Sequence, residues 1–96
     1  MTMSPILQNH RDDILRIATQ YGASNVRVFG SVARGEARPE SDIDVLIHLE
    51  TGRSLLDIVA IKQELEELLG RKVDVLTESS LSPYLREQIL MEAIRL

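Results

Sequence analysis

Residues 30–47 read GSVARGEARPESDIDVLI. A Gly-Ser pair is followed by a polar loop and then by an Asp-x-Asp that leads into an apolar run. Two carboxylates, Asp42 and Asp44, therefore stand at the mouth of a strand whose next residues belong to a core. Alternation along the strand points both aspartates to one side, about 6.6 Å apart, and turns Ile43 and Val45 to the other. Carboxylates held this close repel, and partial burial adds to the cost unless a cation lies between them. The pair is either solvated at a strand end or it holds a metal.

Outward from this stretch the periodicity alternates between two and about 3.6. Upstream, NVRVFGS (25–31) is a short strand with Val26 and Val28 on one face. Before it, Ser4-Pro5 predicts a helix start, Leu7, Ile14, Ile17, Ala18 and Tyr21 recur at helical spacing, and Gly22 supplies a stop. The loop GEARPES (35–41) contains Pro39, and the strand after it runs from Asp42 to Leu49. Ser54 predicts the cap of a helix through Gly70, with Leu55, Ile58, Ile61, Leu65, Leu68 and Leu69 as its apolar stripe. Arg71 to Glu78 is a further strand, and Ser82-Pro83 opens a last helix whose apolar face is Leu85, Ile89, Leu90, Ala93 and Ile94. The order α-β-(short α)-β-α-β-α describes an α/β (α+β) fold, a small mixed sheet of about three strands covered by helices, mainly on one face.

The chain has 96 residues, which allows a single domain, 1–96. With 44% hydrophobic residues, one Phe and no Trp, its core is aliphatic. The absence of cysteine excludes disulfides and thiolate metal sites. No apolar stretch approaches the roughly 20 residues of a membrane span. The start, MTMSPILQNHRDD, lacks the basic and apolar regions of a secretory signal, so a cytoplasmic location is expected. The net charge of −4 argues against direct nucleic-acid binding and favours a small or proteinaceous substrate.

Asp74, flanked by Val73 and Val75, repeats the setting of Asp44 one strand later. If the two strands pair with these faces aligned, Asp42, Asp44 and Asp74 converge and can bridge one or two magnesium ions, whose preferred ligands are oxygens. Gly30 lets backbone approach a ligand closely, and Ser31 can donate its hydroxyl at the start of a helical turn suited to phosphate. Together the parts describe a nucleoside-triphosphate site, with a hydroxyl attacking the α-phosphorus and Asp74 placed to help activate it. Arg34 is a candidate phosphate contact. Arg38 is read as a solvated side chain, and His48, on the Asp44 face but further along the strand, as a satisfied or exposed histidine in preference to a ligand. The last helix is either core cover or a docking face.

The combination Gly-Ser, ten residues, Asp-x-Asp is similar to the signature of the DNA polymerase β-like nucleotidyltransferase superfamily. The tail VDVLTESSLSPYLREQILMEAIRL (73–96) resembles the minimal members of that superfamily, the MNT proteins, and the likeness spans nearly the whole chain. It implies a polymerase β-like palm fold with Asp42, Asp44 and Asp74 as catalytic and metal residues, and Gly30 and Ser31 at the nucleotide. It also implies two Mg2+ ions, ATP as substrate, and a HEPN-domain RNase toxin as partner in a hetero-oligomeric complex. The expected activity is transfer of AMP to a hydroxyl of that toxin, a tyrosine, which neutralises it. The alternative is an antitoxin that inhibits by binding alone. A small-molecule adenylyltransferase is a weaker option, because the extra domain that larger relatives use for a second substrate is missing.

Overall fold

The computed structural model describes residues 5–36, 38 and 41–96. Ser4, the expected first cap, and Pro39 lie outside the described residues. The centre of the fold is β2 (Ile43–Leu49), which buries Ile43, Val45 and Ile47 on one face and Leu46 on the other. Beside it run β1 (Ala23–Phe29), antiparallel, and β3 (Val73–Thr77), parallel. A fourth strand, β4 (Ile94–Arg95), pairs antiparallel with β1 and completes the order β3-β2-β1-β4. The sequence led to about three strands, because a two-residue strand shows no alternation. Its partner, the free edge of β1, lies far back in the chain.

Helices cover the sheet unequally. Leu7 of α1 (Pro5–Asn9), Ile14, Ile17 and Ala18 of α2 (Arg11–Gln20), and Ile61, Leu65 and Leu69 of α4 (Leu55–Leu69) pack on the face that carries Val26, Val28, Val45, Val73 and Val75. The opposite face holds a smaller cluster of Phe29, Leu46 and Leu81, closed by Ile89, Leu90 and Ala93 from α5 (Pro83–Glu92) and its end. A one-turn helix, α3 (Ser31–Arg34), follows β1, and a 3-10 turn, Glu78–Ser80, follows β3.

Three expectations change. The first helix divides at His10, whose ring nitrogen donates to the Ile6 carbonyl at 2.9 Å and ends the first segment there. Leu55, the first residue of α4, is 72% exposed instead of lying in the core stripe. Ile94 leaves the last helix for β4, and Leu85 of that helix is exposed. The Ser54 cap is as expected, in a capping box with Asp57: its hydroxyl accepts from Leu56 N–H and the Asp57 carboxylate accepts from Ser54 N–H. Among the described residues no helix is long and apolar enough to cross a membrane.

Candidate active site

Antiparallel β1 ends where parallel β2 and β3 begin, so all three deliver residues to one rim of the sheet. The register sets Phe29 opposite Asp44 and Asp44 opposite Asp74. The aligned pairing required for the carboxylates to meet is therefore present, with neighbouring strands about 4.8 Å apart. Both side chains stand on the face opposite Val45 and Val75, the α5 side. Asp42 lies immediately before β2, two residues from Asp44; it and Asp74 are exposed and Asp44 is half-buried.

Gly30 turns the chain at the end of β1 with φ 73° and ψ −150°, in the positive-φ region that L side chains avoid. A Cβ here would collide with Asp44 Oδ2. Two requirements, a turn and a close approach, thus fall on one residue. Ser31 opens α3, whose first turn leaves N–H groups without intrahelical acceptors, and Gly35 closes it in the left-handed conformation. Arg34, in the same turn, donates from Nε to Glu36 at 2.8 Å and from Nη1 to both oxygens of Glu92, at 3.2 and 3.3 Å.

Two participants had no signal in the sequence. Glu92, at the end of α5, accepts the Gly30 N–H at 2.9 Å as well as Arg34. Arg71, just before β3, donates from Nη2 to the Ser41 and Arg38 carbonyls, at 2.6 and 2.9 Å, and so ties down the chain that enters Asp42. Arg38 and His48 are exposed. His48 pairs with Ser24 near the opposite rim, away from the aspartates.

Burial pushes the Asp44 carboxyl above its ordinary range, Asp74 and Asp42 add to the rise, and Arg34 opposes it. On α4, the Lys62 ammonium is held above its usual range chiefly by its bond to Glu66, with Asp74 and Asp42 contributing. The rim is thus a crowd of carboxylates with cations at its margin. An all-oxygen donor set suits a hard dication such as magnesium. Among the described residues, however, no three His, Cys, Asp or Glu side chains close into a ready metal-binding group. The aspartates share the rim, and a bound cation would draw its remaining ligands from phosphate and water.

A family model described as a nucleotidyltransferase domain matches residues 9–96. A Methanocaldococcus jannaschii protein named as a protein adenylyltransferase is 48% identical over 81 residues, covering 84% of this chain and 87% of its own length. The protein adenylyltransferase MntA of Thermococcus cleftensis is 36% identical over 89 residues, covering 93% of this chain and 87% of its own. A solved structure described as a minimal nucleotidyltransferase superposes with a TM-score of 0.85 at 53% identity, over 94% of this chain and 92% of that one. A chain from a toxin–antitoxin complex crystallised with AMP-PNP shares the fold at 21% identity, with a TM-score of 0.75 over 88% of this chain and 69% of that one.

Proposed function

The chain belongs to the nucleotidyltransferase domain family, and from that premise we propose that it is a protein adenylyltransferase of the antitoxin type. It transfers AMP from ATP to a hydroxyl, a tyrosine's, of a HEPN-domain RNase toxin with which it forms a cytoplasmic hetero-oligomer. The observation that carries this reading is the cross-strand register of Asp44 with Asp74, beside a glycine whose absent side chain leaves room for the Asp44 carboxylate. The names of the relatives at 36% and 48% identity support the activity.

In this mechanism the Ser31 hydroxyl, the free N–H groups of the α3 turn and Arg34 receive the β- and γ-phosphates. Asp42, Asp44 and Asp74 would hold magnesium, which supplies charge neutralisation at the phosphates. Asp74 orients the acceptor hydroxyl and takes its proton. The acceptor oxygen bonds to the α-phosphorus while the bond from that phosphorus to the bridging oxygen breaks, and pyrophosphate leaves with the electron pair. The exposed apolar side chains of α5, Tyr84 at 93% and Met91 at 81%, offer the toxin a surface close to Glu92.

The test incubates α-labelled ATP and magnesium with the co-encoded neighbouring protein and either the wild-type chain or its Asp42→Asn/Asp44→Asn variant. Label on the neighbour that depends on the aspartates is the expected result. A stable complex with both forms and no label would replace this reading with inhibition by binding alone.

A further inference from the structure

The C-terminal end of α5 carries a carboxylate to the Gly-Ser turn, and we propose that this residue, Glu92, is a positioning residue for nucleotide binding. The inference rests on the reading of the rim as a nucleoside-triphosphate site. In the β1–β4 ladder Arg27 faces Arg95 and Val28 faces Ile94. The same register carried two residues further sets Gly30 opposite Glu92. Glu92 is the last residue of α5, and Ala93 after it is extended, with φ −64° and ψ 136°. At that position the Gly30 N–H meets the Glu92 side chain, Oε1 accepting at 2.9 Å.

The same carboxylate accepts from Arg34 Nη1 through both oxygens. One group therefore fixes both the turn and the cation assigned to phosphate. Sheet order decides between holding the turn and competing with phosphate. β1 lies between β2 and β4, so the Gly30 N–H is directed along the sheet toward β4, whereas Asp44 stands on the β2 side. Glu92 occupies the first direction and leaves the second free. Gly30 is clamped between Glu92 at its N–H and Asp44 at its Cα. With Nε on Glu36 and Nη1 on Glu92, the Arg34 guanidinium is oriented with Nη2 as its remaining corner for a phosphate oxygen.

The experiment is calorimetric titration of the full chain with Mg·ATP, for wild type, Glu92→Gln, Glu92→Asp and Glu92→Ala, each first checked for an unchanged thermal midpoint. Loss of charge-assisted bonds to both donors predicts a Kd raised about tenfold or more in Glu92→Ala. Glu92→Asp keeps the charge but loses the reach, and is expected to fall with Ala. It also serves as the test if the Ala variant fails to fold. Glu92→Gln retains an acceptor oxygen for both donors and should stay within about threefold of wild type. In label transfer, KM for ATP should rise more than kcat falls. ATP binding by Glu92→Ala that equals or exceeds wild type overturns the proposal, as does a Gln variant as weak as Ala. A wild-type chain that binds no ATP overturns the nucleotidyltransferase reading itself, a failure visible before any variant is measured.

Discussion

The sheet has two rims, and they differ in the opposite sense from what their shapes suggest. The rim where β2 and β3 end borders a cleft of about 430 Å³ lined by His48, Glu50, Arg53, Leu55, Thr77 and Glu78 among others. Its charges are matched: Arg53 pairs with Glu50 at 3.0 Å and Asp57 at 3.6 Å, and Glu78 with Arg27 at 2.6 Å. The rim where β2 and β3 begin carries Asp42, Asp44 and Asp74, none of which forms an ion pair among the described residues. Ligands of open parallel sheets usually sit at the carboxyl ends of the strands, which would favour the first rim. Here the antiparallel neighbour β1 brings its own carboxyl end, with the Gly-Ser turn, to the amino ends of the other two. On the proposed reading, uncompensated charge, and not concavity, marks the chemical rim.

The sharpest way to break this contrast is to mutate both rims and measure transfer. Asp44→Asn should lower label transfer by about 10²–10³-fold, the scale on which single electrostatic groups act in transition states. His48→Ala and Arg53→Ala at the other rim should leave it within about twofold. Equal losses at both rims would end the distinction. Next in size is a pair of glycines. Gly30→Ala drives a Cβ into Asp44 Oδ2 at φ +73°, and should cost about 2–4 kcal/mol by urea unfolding. Gly52, at the cleft, has φ +92°, but a Cβ added there would meet nothing within 4 Å, so Gly52→Ala should cost only about 1 kcal/mol.

What the sequence reveals follows the same division between local and distant causes. The carboxylates at 42, 44 and 74 and the Gly-Ser turn are visible because strand alternation fixes their faces. A helix between two strands implies the parallel crossover that aligns them. Glu92 is invisible because its bond to Gly30 spans 62 positions and depends on a strand of two residues. Arg71 reads only as the first residue of a strand, since its acceptors are backbone carbonyls 30 and 33 positions away. Leu55 matches the helical stripe by spacing, yet it stands exposed at the first position of α4. Periodicity reports which face a residue occupies, not how far the neighbouring element extends.

The two rims should also answer oppositely when a carboxylate is removed without magnesium present. Asp57→Ala breaks the α4 capping box and a bond to Arg53, and should lower stability by about 1 kcal/mol, roughly 4–8 °C in midpoint. Asp44→Asn relieves a half-buried carboxylate crowded by Asp74 and Asp42, and should raise the midpoint by about 2 °C. A lower midpoint in the Asn variant would show that the chemical rim is not under electrostatic load.

The smallest effect concerns how β3 is seated at that rim. Glu66 accepts from Lys62 Nζ at 2.6 Å and from the Val73 N–H at 3.0 Å, one residue before Asp74. The Lys62 bond first, then the Val73 bond, hold its carboxyl below the ordinary value of 4.5. A carboxyl lowered on folding adds stability that is fully present above its unfolded pKa and is lost as pH falls through the folded one. The urea-midpoint gap between wild type and Glu66→Gln should therefore be steady near neutral pH and close as the solution is acidified below 4.5. The gap should be small, because the Lys62 side chain is 41% exposed and its charge is screened, and the glutamine oxygen can still accept from Val73. A gap that widens in acid would reverse the sign and detach Glu66 from the seating of β3.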